Sequence, residues 1–429
     1  TVQKQTGSVI WIKGLTRAFV GETVVSVSGI QGMITRVDEN LVEAIHFFQG
    51  NLIIGEKIAG TGEKLSISVG EKMKGYVFDA LGYTYGGKED SKYTENRSIE
   101  VVPKNISERS LIKKQLETGV VVLDTLVPIA KGQRELILGD TGTGKSTLAR
   151  QILTNHVKNG GVGIMCLLGK QRMEIDKTIK YLKRTGVMDK CIVIAEPADS
   201  VAARIFVAPF AAMAVAEYYR DSGSDVLLII DDLSTHANRY REISLYAESF
   251  PGRDSFPADI FWTHARLLER AGSFTGNKGS SNTITCLPIV ETVDGNFAGY
   301  IETNLMSMTD GHILLDKELM KNGQFPAVNH FLSVTRVGRQ TQTELYQGMS
   351  QVVLGLIKDF DNLKNFLKFG YDLNENAQKV VRMSEKLRQI MNQESNSWYS
   401  LNEQLALMGG VWTGKEISVD SIPDLSKFK

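Results

Sequence analysis

The chain has 429 residues, enough for about two to four domains that each bury a core of their own. Lysine plus arginine and aspartate plus glutamate both number 49, so the composition does not indicate the long basic face of a nucleic-acid-binding protein. No apolar run approaches the roughly 20 residues that span a bilayer. Three cysteines lie far apart in apolar surroundings, which predicts reduced core thiols in a cytosolic protein and argues against a zinc site: Cys166, Cys191 and Cys286.

Residues 1–75 have the pattern of a small antiparallel β-barrel. Short alternating runs, such as residues 8–12 and 22–27, are separated at close and regular spacing by turns that contain glycine or Asp-Glu-Asn. We therefore predict an N-terminal β-barrel domain over residues 1–75.

Residues 76–350 change to strands that alternate with helices, which indicates a mostly parallel sheet. The Gly/Ser-rich run at 270–282 is predicted to be a mobile loop. This alternating pattern, together with a run of the form G-x-x-x-x-G-K-[ST] at residues 139–146, predicts a RecA-like P-loop nucleotide-binding domain over residues 76–350. Its buried strands are predicted at 134–138, 161–168, 191–195 and 225–230, with an Ala-rich helix over 201–219.

From about residue 351 onward glycine and β-branched residues become rarer, and apolar residues recur at helical spacing. This pattern predicts a C-terminal α-helical bundle over residues 351–429, so the whole chain is expected to be a multi-domain α/β protein. The helices are predicted at 352–369, 376–393 and 401–408.

The run GDTGTGKS at residues 139–146 fits the pattern G-x-x-x-x-G-K-[ST] of a phosphate-binding loop. An apolar strand enters it and an amphipathic helix leaves it, which points backbone N–H groups at a polyphosphate. Lys145 is predicted to reach the β- and γ-phosphates of ATP, and the Ser146 hydroxyl to ligate magnesium. The residues predicted to contact ATP (or ADP) are Gly139, Asp140, Thr141, Gly142, Thr143, Gly144, Lys145, Ser146 and Thr147.

Another apolar strand runs into two aspartates, Asp231 and Asp232. A carboxylate at the end of a buried parallel strand is where nucleotide hydrolases hold magnesium through water. Asp231 directly ends the strand and is the predicted metal residue, whereas Asp232 is predicted to anchor the following loop. The alternative is that Asp231 only caps the turn.

The carboxylate that would orient an attacking water is missing. Hydrolases with this loop carry a glutamate, in a G-E-R sequence, just after the strand next to the phosphate loop. Here that stretch reads GKQR, so Lys170 or Gln171 stands at the position, and neither can act as a base. Glu174 follows, but inside a helical run. The sequence thus predicts a site that binds ATP and turns it over poorly.

Arg336 follows a short strand late in the nucleotide domain. An arginine there can be a structural ion-pair partner. It can also reach across a subunit interface to the transition-state charge on a neighbour's ATP. The spacing alone leaves both interpretations open.

With these residues placed, the chain resembles the α subunit, the non-catalytic nucleotide-binding subunit, of F-type rotary ATPases. The resemblance covers almost the whole chain, and barrel, nucleotide domain and helical bundle follow in the same order. The motifs that carry it lie at 124–129, 132–135, 139–147, 231–234, 251–253, 263–270, 288–292, 309–311 and 333–338.

The resemblance implies a hexamer in which α-type chains alternate with β-type catalytic chains around a γ-type central stalk. It implies that Arg336 is the arginine finger, acting in trans on the β-type site, and that Phe325, Pro326 and Gln393 surround the adenine. It further implies a cytoplasmic complex, peripheral to the inner face of the cell membrane, which this chain contacts only through other subunits.

The chain also departs from the family pattern. Typical α subunits have Arg-Gln at positions 141–142, where this chain has Thr-Gly, and Arg at position 325, where it has Phe. It begins with Thr1, which suggests processing, and it ends at Lys429, short of the family's usual terminal helices. These departures suggest a divergent paralogue of the kind found in mycoplasmas. The hexamer of such a paralogue could be a repurposed motor, for example for cell-surface motility, without an ion-translocating sector.

Three other classes share the nucleotide core. A Rho-like hexameric nucleic-acid translocase needs a basic surface with stacking aromatics, which the neutral charge disfavours. A type III export ATPase is a homohexamer that needs its own glutamate, and Lys170 and Gln171 argue against it. A scaffold without nucleotide is disfavoured by the intact Lys145, Ser146 and Asp231.

Overall fold

The computed structural model describes residues 1–85, 95–276, 281–368 and 374–413.

The first domain is an antiparallel sheet. Six strands pair in the order β1-β2-β5-β4-β3-β6. The Val2 carbonyl accepts from Gly55 N, and Val2 N donates to the Glu56 carbonyl, both at 2.9 Å, so the first strand also meets the segment that leads into the last. The predicted N-terminal antiparallel architecture is confirmed. The strands are β1 (Val2–Thr6), β2 (Val9–Ile12), β3 (Glu22–Ser26), β4 (Gln31–Val37), β5 (Val42–His46) and β6 (Ile58–Lys64).

Short elements connect this sheet to the nucleotide domain. β7 (Ser66–Val69) pairs with β9 (Glu95–Ser98), while β8 (Val77–Phe78) between them joins the central sheet. β10 (Gln115–Leu116) pairs with β11 (Ile129–Ala130), and the buried helix α1 (Val121–Leu126) lies between these two strands.

The central domain is built on a nine-stranded sheet with the order β19-β18-β12-β17-β15-β13-β14-β8, and β16 pairs with β17. All neighbours are parallel except β16 with β17 and β19 with β18. The inner strands are apolar along their length because helices cover both faces. Besides β8, the strands of this sheet are β12 (Leu136–Asp140), β13 (Val162–Lys170), β14 (Cys191–Pro197), β15 (Val226–Asp231), β16 (Gly272–Thr275), β17 (Ser281–Thr292), β18 (Gly311–Leu315) and β19 (Val334–Thr335).

Seven helices of the described residues flank this sheet, and the Ala-rich one, α4, is buried along almost its whole length. The predicted core cysteines are confirmed: Cys166, Cys191 and Cys286 are free and buried in β13, β14 and β17. The helices are α2 (Lys145–Lys158), α3 (Arg172–Arg184), α4 (Ala202–Asp221), α5 (Leu233–Tyr246), α6 (Ile260–Leu268), α7 (Tyr300–Met308) and α8 (Lys317–Lys321).

The prediction of a mobile loop at 270–282 is wrong for its described part. β16 pairs antiparallel with the start of β17, from Gly272 opposite Ile284 to Thr275 opposite Ser281. Arg270 is 1% exposed and forms a bidentate pair with Glu217, with N–O distances of 2.7 and 3.1 Å. This buried pair fixes the start of the segment, which its glycine and serine content does not reveal. Residues 277–280 lie outside the described residues.

The C-terminal region is helical, as predicted. Its described helices are α9 (Glu344–Lys368), α10 (Glu375–Met391) and α11 (Leu401–Thr413), and the boundary predicted at residue 350 falls within α9. Gln404 links the helices to the nucleotide domain, because its side chain accepts from Tyr346 Oη at 2.6 Å and donates to Asp124 Oδ2 at 2.8 Å. The end of the predicted bundle, residues 414–429, lies outside the described residues.

Candidate nucleotide-binding site

The phosphate loop joins the end of β12 to the start of α2. Two of its glycines are required by the backbone. A Cβ on Gly139 would lie 2.5 Å from the Leu315 carbonyl oxygen, and Gly144 begins the helix with φ at 94°. Thr143 Oγ1 donates to the Asp140 carbonyl at 2.8 Å and fastens the turn. The loop is therefore pre-shaped, with the helix N-terminus directed at an anion site.

Lys145 lies inside this loop. Its side chain is 5% exposed, and Nζ donates to the carbonyls of Gly139 and Asp140, both at 2.8 Å. Burial lowers the pKa of Lys145, although nearby carboxylates, with Glu291 foremost, oppose this. The ammonium is thus held at the loop by neutral acceptors, where a phosphate oxygen would be a stronger partner.

The other residues predicted in the loop divide into two groups. The Asp140 carboxylate turns away from the loop, since Oδ1 accepts from Thr292 Oγ1 at 2.6 Å and from Gly295 N at 2.8 Å. Burial opposes its ionisation, yet these hydrogen bonds keep the pKa of Asp140 below its usual value. The structure leaves Thr141, Gly142 and Thr147 exposed and Ser146 half-buried at the first turn of α2.

The sequence does not predict Glu291 as a site residue, although it lies in the motif at 288–292 that contributes to the family resemblance. It lies near the end of β17, beside β12, and Oε1 is 3.7 Å from Lys145 Nζ. Oε2 accepts from Thr141 Oγ1 at 3.4 Å. The strand order brings Glu291 to the loop, and no local sequence signal gives that order.

Asp231 and Asp232 meet Lys170 at the ends of neighbouring strands. Lys170 Nζ lies 2.8 Å from Asp231 Oδ1 and 2.9 Å from Asp232 Oδ2. Asp232 Oδ1 also accepts from Thr235 N at 2.7 Å and caps α5, which fits its predicted role as an anchor. Burial alone would lower the pKa of Lys170, but the two facing carboxylates raise it above its usual value. The two carboxylates thus favour the charged form of the ammonium between them.

A cavity of about 670 Å³ lies beside the loop, within the size range of small-ligand sites. Phe325, Pro326 and Gln393, which the resemblance predicts around the adenine, line this cavity, and Phe325 is 51% exposed. The Gln393 amide is used internally: it donates to the Gly119 carbonyl at 2.7 Å and accepts from Val121 N at 3.0 Å. Gln393 thus shapes the cavity wall, and its amide is not turned toward the cavity.

Arg336 lies at the other end of the sheet. It follows β19, whose Thr335 pairs with Gly311 at the start of β18, whereas Leu315 of β18 pairs with Gly139 of the phosphate loop. At about 3.3 Å per residue, the two levels are separated by about 13 Å. Arg336 is exposed, and within the described part of the chain its guanidinium forms no ion pair or hydrogen bond.

No cluster of three or more His, Cys, Asp or Glu side chains that could hold a metal ion occurs among the described residues. No helix in the described ranges is both long and apolar enough to cross a membrane.

Two family models match the sequence. The ATP synthase alpha/beta family, nucleotide-binding domain, matches residues 119–335, and the ATP synthase alpha/beta chain, C terminal domain, matches residues 342–427. The chain belongs to the ATP synthase alpha/beta family. The model of the nucleotide-binding domain spans both the phosphate loop and Asp231.

Similar proteins identify the type of chain. "ATP synthase subunit alpha" of Rickettsia bellii (strain OSU 85-389) is 37% identical over 421 residues, which are 96% of this chain and 81% of that protein. "ATP synthase subunit alpha 1" of Legionella pneumophila (strain Corby) is 37% identical over 424 residues, 98% of this chain and 86% of that protein. The expected resemblance is confirmed: this is an α-type chain of the F-type ATPase family, an enzyme as part of a complex.

Proposed function

We propose that this α-type chain holds an adenine nucleotide, ATP or ADP, without hydrolysing it, and supplies Arg336 to the catalytic site of a neighbouring β-type chain. The complex would interconvert ATP hydrolysis or synthesis and rotation. The observation that carries the proposal is the separation of Arg336 from the phosphate loop of its own chain.

The proposal that the chain binds a nucleotide without hydrolysing it is supported by the residues around the phosphate loop. Lys145, the helix N-terminus of α2 and the adjoining cavity provide contacts for phosphates and a base. Lys170 is at the strand end where a hydrolase needs a carboxylate, and its ammonium cannot accept a proton from water. Glu174 lies in the first turn of α3 and is exposed, so it does not replace that group. Binding without turnover follows.

The proposed role of Arg336 is supported by its distance from the phosphate loop and by its exposed guanidinium. A span of about 13 Å along β18 exceeds the reach of an arginine side chain and keeps Arg336 from the γ-phosphate of its own chain. An exposed guanidinium that forms no ion pair or hydrogen bond among the described residues is available to a neighbouring subunit. There it would stabilise charge that develops on a transferred phosphoryl group.

Of the two residues predicted to hold magnesium, Ser146 has a hydroxyl oxygen of the class that Mg²⁺ prefers and would ligate an ion that arrives with the nucleotide. The Asp231 carboxylate is already paired with the Lys170 ammonium, at 2.8 Å. The bound ion would neutralise phosphate charge. The partners proposed are β-type catalytic chains in an alternating hexamer and a γ-type stalk, on the cytoplasmic face of the cell membrane.

The test is ATP hydrolysis by the complex purified with its β-type chain. Arg336→Ala should lower kcat by about 10³- to 10⁵-fold, the range for an arginine finger. Nucleotide bound to the α-type chain should be unaffected. Arg339→Ala, a change at a nearby exposed arginine, is the matched control and should leave kcat unchanged. Activity that survives Arg336→Ala would refute the finger assignment.

A further inference from the structure

Lys170 lies where a magnesium ion would approach Asp231. Asp231 and Asp232 are 2% and 3% exposed, and the ammonium lies within 3 Å of an oxygen of each. β13 and β15 are neighbouring parallel strands with Leu167 opposite Asp231, so Lys170 extends just past the level at which β15 ends. The arrangement is therefore built by the sheet and does not depend on a surface side chain that happens to fold over.

The contact between Lys170 and Asp232 is also fixed by the second hydrogen bond of Asp232. Asp232 caps α5 through Oδ1, which orients its second oxygen at Lys170. Two buried carboxylates side by side repel each other and need a cation between them. Within the described residues Lys170 is the cation in ion-pair contact with both. It meets that need without any ligand.

A hydrated magnesium ion at Asp231 would have to share this space with the ammonium. The magnesium ion and the Lys170 ammonium would both lie next to Asp231, and two positive charges so close together repel strongly in a site shielded from water. Lys145 adds a second ammonium within electrostatic reach of both aspartates and of Lys170. Lys145 lies in the phosphate loop and Lys170 lies within its electrostatic reach, so the positive charge that magnesium normally supplies is already present beside the loop.

We propose that Lys170 is a tethered cation that takes the place of magnesium opposite Asp231, so that this site binds an adenine nucleoside di- or triphosphate with little dependence on divalent metal. The inference rests on the proposed nucleotide-holding function and specifies how the phosphate charge is balanced. It also accounts for the lysine at a position where the chemistry of hydrolysis would require a carboxylate.

The test is equilibrium binding of ATP to the purified full chain by calorimetry, once with magnesium and once with EDTA. The wild-type Kd should differ by less than about threefold between the two buffers. Lys170→Gln should make binding metal-dependent, with Kd at least about tenfold weaker in EDTA. Lys170→Arg, which keeps the charge, should retain the wild-type behaviour, as should the control Lys177→Gln on the exposed face of α3.

A second readout is direct binding of Mn²⁺, followed by its EPR signal in the presence of ADP. The wild-type chain should bind Mn²⁺ more weakly than Lys170→Gln does. Wild-type ATP binding that is strong with magnesium and lost in EDTA would overturn the tethered-cation inference and leave the proposed function intact. Absence of ATP binding in both buffers would overturn the proposed function as well. The wild-type measurements decide the question even if Lys170→Gln fails to fold.

Discussion

The two ends of the central sheet differ in what they offer. At the carboxyl ends of β12, β13 and β15, the phosphate loop, Lys170 and Asp231 form an enclosed, partly buried site. Near the amino end of β18, Arg336 is exposed and unpaired among the described residues. Under the proposed function, the first end would hold a nucleotide of its own chain, and the second would present a positive charge to a neighbouring subunit. A single fold would then retain binding while its contribution to chemistry lies in another chain.

The largest effect expected at the carboxyl end comes from Lys145→Ala. Removing a charge-assisted contact to phosphate should cost about 2 to 3 kcal/mol, which weakens the Kd for ATP by about 30- to 150-fold. Calorimetry on the full chain measures this, with the exposed Lys180→Ala as control. Unchanged affinity would mean that the nucleotide does not bind at this loop. The carboxyl end of the sheet would then not be the nucleotide-holding end.

A smaller effect is expected from Phe325→Ala at the cavity beside the loop. Stacking of a base on an aromatic ring contributes about 1 to 3 kcal/mol. At the lower end of that range, which we expect for the half-exposed ring of Phe325, the Kd for ATP should weaken by about tenfold. The Kd for inorganic triphosphate should not change, which separates the base from the phosphates. Phe331→Ala, a second exposed phenylalanine, should have no effect on either ligand. Equal losses for ATP and triphosphate would place the adenine elsewhere.

The smallest effect concerns stability at the amino end, where His156 of α2 lies against the Asp225 carbonyl at 3.2 Å. Burial, followed by the charge of Lys131, lowers the pKa of His156 to about 4. The unfolded chain, with a pKa near 6.5, binds more protons below pH 6.5, so stability falls as pH drops from about 6.5 toward 4.

Between pH 7.5 and 5.5 the wild type should therefore lose about 1 kcal/mol more unfolding free energy than His156→Gln. Urea unfolding at the two pH values measures the difference. Parallel losses in both proteins would show that His156 is not kept neutral by the fold.

Much of the fold was predictable because its signals are local. The loop at 139–146 and the apolar strand that runs into Asp231 depend on residues adjacent in sequence, and both are found as predicted. The helical spacing after residue 351 likewise gave the C-terminal helices. These features arise from periodicity and from residue types that tolerate few alternatives.

The remaining features depend on strand order, which local patterns do not contain. Lys170 was recognised as a poor base, but its contact with Asp231 follows from the adjacency of β13 and β15. Glu291 reaches Lys145 because β17 lies beside β12. The internal bonding of Gln393 requires the helical region to pack on the turn before α1, which no spacing predicts.

The central claim is that this chain holds a nucleotide that it does not hydrolyse. Single-turnover measurement with γ-labelled ATP on the purified full chain tests it most directly. We expect one ATP bound per chain at saturation and no release of labelled phosphate above the rate in buffer. Sustained phosphate release by the chain alone would contradict it.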